Sequence, residues 1–104
     1  MKIAASFASG RLTVFLSGEL DHHEAGSAIR AINDLIEKHM PRECVIDMSA
    51  LSFMDSSGIA VLINASRKMK SFGGALSVEN PAEQAKKVLD ASGIDRLIAV
   101  ASKS

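Results

Sequence analysis

Apolar and polar residues alternate near the start of the chain. The runs KIAASFA and RLTVFLS are separated by Ser9-Gly10, a pair typical of a tight turn, and together they predict a β-hairpin. Leu12, Val14 and Leu16 occupy every second position, which is the period of a strand with one buried face. The next segment, SGELDHH, is predicted to be a loop.

The spacing of apolar residues then becomes helical. It predicts one helix from about residue 22 to residue 39 and another over about residues 57–71. Asp21 is a favourable N-cap for the first helix, and Glu24 three positions later completes a capping-box pattern. A third helix is expected to begin with Asn80 as N-cap and Pro81 in its first turn.

Three further strands are predicted between and after these helices. They are CVIDM, ALSVE and, at the end, RLIAVA, with Gly93 closing the third helix before the last strand. The element order is β-β-α-β-α-β-α-β. A hairpin followed by alternating helices and strands predicts an α/β fold. Its sheet is mixed and mainly parallel, with four to five strands and three to four helices.

Composition narrows the range of functions. The chain has 104 residues, a length typical of one domain, and its twelve basic and twelve acidic residues give no net charge. It has no Trp or Tyr and four Phe, so neither charge nor stacking favours nucleic acid as a partner. No apolar run approaches the roughly 20 residues of a membrane span. One cysteine, Cys44, and no signal-peptide pattern indicate the cytoplasm, with Cys44 buried in its strand.

The stretch LSFMDSSGIAVLI places Asp55, Ser56, Ser57 and Gly58 between a strand and a helix. This is the edge of an α/β sheet where functional sites gather, and a helix N-terminus there suits a phosphate. Three interpretations compete. Asp55 or Ser56 caps the helix while Gly58 permits close packing, or a serine is a nucleophile, or a hydroxyl is modified.

The sequence lacks the common motifs of serine nucleophiles, phosphate-binding loops and metal sites. A nucleophile elbow requires G-x-S-x-G, whose first glycine is missing here, and the phosphate-binding G-x-x-x-x-G-K-[ST] is absent. The histidines are His22, His23 and His39. Adjacent residues at a helix start point about 100° apart, and no H-x-x-x-H or C-x-x-C accompanies them, so no metal site is expected.

Four segments carry a family resemblance. GELDHHEA, LSFMDSSGIAVLI, GGALSVENP and VLDASGIDRLI resemble the STAS domain and, more narrowly, anti-sigma-factor antagonists of the sporulation type. The resemblance covers nearly the whole chain, in the same order and with similar spacing. It implies a single STAS domain over residues 1–104, with no enzymatic activity, no cofactor and no membrane partner, and a monomer when free.

The resemblance also implies a mechanism. In that family the first serine of D-S-S-G, here Ser56, is phosphorylated by a partner that is both an anti-sigma factor and an ATP-dependent serine kinase. The unphosphorylated protein binds this partner and frees a sigma factor; phosphorylation ends the binding, and a serine phosphatase restores it. We expect the following residues to bind partners: Gly18, Glu19, Asp21, His22, His23, Met54, Asp55, Ser57, Gly58 and Ile59.

Two alternatives remain at the level of sequence. One is a STAS module that binds a nucleotide or another small ligand. The other is a serine hydrolase that uses Ser56, which would require a catalytic partner that the sequence does not reveal.

Overall fold

The first turn of the chain is fixed by two residues with positive φ. Ser9 has φ 52° and Gly10 has φ 80°, the left-handed conformation that both central residues of a tight hairpin turn adopt. The strands on either side therefore pair antiparallel, with Ala8 opposite Arg11. The predicted N-terminal hairpin is confirmed.

The computed structural model describes residues 1–102. It contains five strands: β1 (Lys2–Ala8), β2 (Arg11–Leu20), β3 (Glu43–Met54), β4 (Ala75–Glu79) and β5 (Ala99–Ala101). Three α-helices alternate with them: α1 (His22–His39), α2 (Ser56–Ser71) and α3 (Glu83–Ser92). A short 3-10 helix, Ile94–Arg96, precedes β5. None of the described helices is both long and apolar enough to cross a bilayer.

The strands lie in one sheet in the order β1-β2-β3-β4-β5, and every pair from β2 to β5 is parallel. Right-handed crossovers between successive neighbouring strands place α1, α2 and α3 on the same face of the sheet. Leu12, Val14 and Leu16 are buried on that face, whereas Phe15 between them is 42% exposed. The predicted mixed, mainly parallel sheet and the alternation within β2 are both confirmed.

The core lies between the sheet and the helices. Ile32 and Ile36 of α1 and Leu62 and Met69 of α2 are fully buried in it. Cys44 of β3 is buried among them, as the sequence predicts, and burial raises the pKa of its thiol to about 12. Its thiol is therefore protonated and unreactive at neutral pH.

Two strands are longer than predicted. The segment expected to be a loop after Ser17 continues β2 to Leu20, and β3 continues past Met48 to Met54. The pairing of β2 with β3 shifts register on both sides of Ser17-Gly18, and Gly18 has φ 94°. A bulge of this kind absorbs the glycine without ending the strand.

The end of the chain also differs from the prediction. Helix α3 begins at Glu83 after Ala82, because Asn80 has φ 54° and donates its side-chain amide to Asp47 at 3.2 Å instead of capping a helix. The last strand is limited to Ala99–Ala101, since Arg96 ends the 3-10 helix and Leu97 and Ile98 form a turn before the strand.

Candidate functional site

Two helices start side by side at the carboxyl edge of the sheet. Leu20 and Met54 are paired at the ends of the parallel strands β2 and β3. The residue that follows each strand is an aspartate, Asp21 or Asp55, and the Asp55 N–H donates to the Leu20 carbonyl at 3.2 Å. Parallel pairing therefore places both aspartates, and the helices that follow them, next to each other.

Asp21 caps α1, as the sequence predicts. Its Oδ1 accepts hydrogen bonds from the backbone N–H groups of His23 at 3.0 Å and Glu24 at 3.1 Å. In place of the expected capping-box bond, in which Glu24 would accept from the Asp21 N–H, the Glu24 carboxylate forms an ion pair with the Met1 amino group at 3.7 Å. The first turn of α1 is thus held by one side chain and a contact to the chain terminus.

Asp55 caps α2, and its Oδ1 accepts from the Ser57 N–H at 2.8 Å. That bond is the main cause of the lowered pKa of Asp55. Desolvation raises the pKa, but by less. The Ser57 hydroxyl, the His22 backbone and the His22 charge lower it further. Asp55 is therefore ionised at neutral pH, and it links the start of α2 to the start of α1.

The two adjacent serines differ in their surroundings. Ser57 is half-buried, its backbone N–H donates to Asp55 at 2.8 Å, and its hydroxyl is near enough to contribute to the lowered pKa of Asp55. Ser56 is exposed, and among the described residues its hydroxyl has no hydrogen-bond partner. Ser56 is the first residue of α2, where backbone N–H groups and the helix dipole favour an anion. Of the two hydroxyls, only that of Ser56 is both accessible and unoccupied in this part of the structure.

Gly58 lets α2 approach the end of β3. A Cβ at this position would lie 2.4 Å from Cγ and Sδ of Met54 and 3.3 Å from Leu20. Met54 is fully buried, so its expected place on the partner-binding surface is wrong: the end of β3 directs its side chain into the core. Gly58 is buried as well and acts by permitting this close packing.

A groove of about 400 Å³ runs from Ser56 between α2 and α3. Its walls are mainly apolar, formed by Ile59 of α2 and by Val88 and Ala91 of α3, with Lys87 at its border. Ile59, predicted as a partner contact, is half-buried in this groove. Sequence reasoning missed the α3 residues, because a spacing of three along a helix is equally typical of core positions.

Gln84 of α3 positions the residue that precedes the Asp55 cap. Its Oε1 accepts from the Met54 N–H at 2.7 Å, and its Nε2 donates to the Met54 carbonyl at 2.9 Å. Sequence reasoning also missed this residue, and no local pattern distinguishes it from other polar residues of a first helical turn.

The remaining expected contacts lie around the same edge. Glu19 is exposed and lies opposite Phe53 in the pairing of β2 with β3. Gly18 is the residue before it in β2. The exposed rings of His22 and His23 lie 3.9 Å apart at their centroids. Within residues 1–102, no three His, Cys, Asp or Glu side chains are grouped so as to hold a metal ion.

Comparisons with known proteins agree with this arrangement. The STAS domain family model matches residues 2–104. An anti-sigma F factor antagonist of Paenibacillus polymyxa is 31% identical over 91 residues, 88% of this chain and 78% of the relative. An anti-sigma-B factor antagonist of Bacillus subtilis is 30% identical over 94 residues, 89% of this chain and 84% of the relative.

Solved structures of SpoIIAA, an anti-sigma factor antagonist, are similar to the chain in both chemical states. The unphosphorylated form gives a TM-score of 0.81 at 25% identity and covers 98% of this chain and 90% of that one. The phosphorylated form, from Bacillus, gives a TM-score of 0.71 at 25% identity, with 98% and 93% coverage. The chain belongs to the STAS domain family, and its curated relatives are anti-sigma factor antagonists.

Proposed function

We propose that this protein is an anti-sigma factor antagonist that is switched by phosphorylation of Ser56. Unphosphorylated, it binds an anti-sigma factor that is also an ATP-dependent serine kinase, and a sigma factor is released. The kinase then phosphorylates Ser56, the complex separates, and a serine phosphatase resets the protein. The exchange takes place in the cytoplasm, with the single STAS domain acting as substrate rather than enzyme.

The observation that carries this proposal is the difference between Ser56 and Ser57. A phosphoryl acceptor must be reachable by a kinase and must not be engaged in a bond that the transfer would break. Ser56 meets both conditions, whereas Ser57 is half-buried and bonded to Asp55. The kinase supplies the metal ion and the base for phosphoryl transfer, so the substrate domain requires neither.

The groove beside Ser56 supports a docking role for this edge. Apolar side chains at the centre of an interface contribute most of its binding free energy, and Ile59, Val88 and Ala91 form such a surface next to the acceptor hydroxyl. Asp21 and the exposed histidines extend the surface along the start of α1. A kinase seated on this edge would contact the groove and the acceptor together.

Phosphorylation is expected to alter this surface without unfolding the domain. A phosphoserine adds about −1.5 to −2 charges, which the N-terminus of α2 tolerates. The new charge lies beside the carboxylates of Asp21 and Asp55. The kinase surface that binds this edge is complementary to the neutral hydroxyl of unphosphorylated Ser56. Misplaced like charge at an interface costs several kcal/mol, and about 2.8 kcal/mol corresponds to a hundredfold loss of affinity.

Calorimetric titration of the kinase with both forms of the protein tests the proposal. The phosphorylated form should bind roughly a hundredfold more weakly. Ser56→Asp, which has one charge and less bulk, should weaken binding partly. Ser6→Asp, on the exposed strand β1, is the control for added charge and should bind as the wild type does. Equal affinities of the two wild-type forms would rule out the switch, and a collapsed circular dichroism spectrum would assign the signal to unfolding.

A further inference from the structure

A second concavity lies on α2, away from Ser56. It has a volume of about 210 Å³, and its lining residues are Ile63, Ser66, Arg67, Lys70, Leu97 and Ile98. Ser66 follows Ser56 by ten residues, which corresponds to about 15 Å along the helix axis. We refer to these six residues as the Arg67 pocket.

The pocket has an apolar floor and an apolar rim. Ile98 is 2% exposed and Ser66 is 8% exposed, so both lie at the bottom. Leu97 is 66% exposed and forms the rim, in the segment between the 3-10 helix and β5. A bound apolar group would cover the side of Leu97 that now faces water.

The mouth of the pocket carries two unpaired positive charges. Among the described residues neither Arg67 nor Lys70 has an ion-pair or hydrogen-bond partner. Lys68, which lies between them on the helix, is bonded to Glu37. The helix dipole favours a cation in the last turn and so accounts for Lys70, but Arg67 precedes that turn.

The hydroxyl of Ser66 adds a donor at the bottom of the pocket. The residue is 8% exposed, and its hydroxyl, which has no hydrogen-bond partner among the described residues, lines the pocket rather than being sealed in the core. A hydroxyl that opens onto the pocket can donate to a ligand held beneath the two cations.

We propose that the Arg67 pocket binds a small amphiphilic anion, a carboxylate or phosphate group attached to a short apolar chain. The apolar chain packs on Ile63, Leu97 and Ile98, and the anionic group accepts hydrogen bonds from Arg67 and Lys70. Binding sites of this kind have apolar walls and a few convergent polar groups. At roughly 30 Å³ for each water-sized group, the volume accommodates about seven such groups, close to the eight non-hydrogen atoms of a six-carbon acid.

Titration of the full chain, followed by amide chemical shifts in NMR, tests this inference without any partner protein. The probes are hexanoate and hexyl phosphate, with hexanol as the neutral control. Hexanoate or hexyl phosphate should give saturable shifts at residues 63–70 and 97–98, and the tighter of the two identifies the preferred anionic group. Hexanol should bind about tenfold more weakly, because it lacks the charge.

Charge-removing variants sharpen the test. Arg67→Gln and Lys70→Gln should each weaken binding of the anions several-fold, and together by about tenfold or more. Lys38→Gln, which removes an exposed lysine near the end of α1, is the matched control and should leave the affinity unchanged.

Three results would overturn the assignment. They are an absence of saturable shifts with either anion, equal affinity for hexanol and hexanoate, and unchanged affinity in the double variant. Because no kinase is present, none of these results depends on whether Ser56 is phosphorylated.

Discussion

The starts of α1 and α2 are adjacent and both are capped by an aspartate, yet they are held in different ways. At α1 the cap of Asp21 leaves His22 and His23 exposed. At α2 the cap of Asp55 is supported by the close packing of Gly58 on Met54. The start of α1 is held by its cap and the Met1–Glu24 contact, whereas packing from behind also fixes the first turn of α2, which carries the Ser56 hydroxyl.

The largest expected effect separates the two serines of α2. Ser56→Ala should abolish phosphate incorporation by the anti-sigma factor kinase, because the free hydroxyl is lost. Ser57→Ala should still be phosphorylated, since its hydroxyl only supports Asp55. Incubation with kinase and ATP, followed by peptide mass spectrometry, measures both. Phosphate found on Ser57 in the wild type would reverse the assignment.

The glycines of the two helices should respond in opposite directions to alanine. In Gly58→Ala the added Cβ would meet the Met54 side chain at 2.4 Å, and such overpacking destabilises by about 1–3 kcal/mol. In Gly26→Ala the added Cβ meets only Arg30, at 3.6 Å. Alanine is preferred in an exposed helix interior, so this variant should gain about 0.5–1 kcal/mol.

Urea unfolding at neutral pH measures both glycine variants. A similar loss of stability in the two would mean that the start of α2 is packed no more tightly than that of α1. A stable Gly58→Ala protein with altered phosphorylation would show that Met54 moves to admit the methyl group and displaces the acceptor.

Asp21 should have a structural and a functional effect that can be separated. Asp21→Ala removes the cap and should cost about 0.5–2 kcal/mol of stability. Asp21→Asn retains a capping oxygen, so its stability should be close to that of the wild type, while loss of the charge should slow phosphorylation of Ser56. Normal phosphorylation kinetics in a stable Asp21→Asn protein would limit Asp21 to capping.

The smallest effect concerns the pH dependence of the α2 cap. The pKa of Asp55 is lowered in the folded protein, mainly by the Ser57 N–H. Its ionised form therefore stabilises the fold at pH above its unfolded pKa, and this stabilisation is lost as the pH falls through the lower, folded value. Urea unfolding of the wild type and Asp55→Asn should show a difference that narrows below about pH 4. A constant difference would contradict this role of the charge.

Short sequence motifs correctly predicted the turns and helix starts that depend on residues close together in the sequence. The hairpin at Ser9-Gly10, the cap at Asp21 and the Asp55–Gly58 motif all depend on residues a few positions apart. The extension of β2 past Gly18 was not predictable in this way, because glycine also ends strands. Only the register of β3 beside it shows that the chain forms a bulge and continues.

Helix α3 shows the limit of the same signals. Asn80 and Pro81 form a favourable start sequence, but the Asn80 side chain bonds to Asp47 of β3 and its N–H donates to Ala101 of β5. These tertiary contacts outweigh the local preference and delay the helix to Glu83. The α3 side of the groove and the contact of Gln84 with Met54 depend on the same packing, so the sequence alone did not predict them.

The contact between Gln84 and Met54 also covers one end of an open strand edge. Strand β4 pairs with β3 only as far as Asp47, so from Met48 onward that side of β3 lacks a neighbouring strand. An open edge of this kind can template the addition of another chain and lead to aggregation. The Ala82 N–H donates to the Met48 carbonyl at 3.4 Å, and the Gln84 amide bonds to the N–H and the carbonyl of Met54, so the two ends of this open stretch are engaged. The Gln84 side chain therefore both fixes the residue that leads to Asp55 and Ser56 and occupies backbone groups that another chain would need in order to pair there.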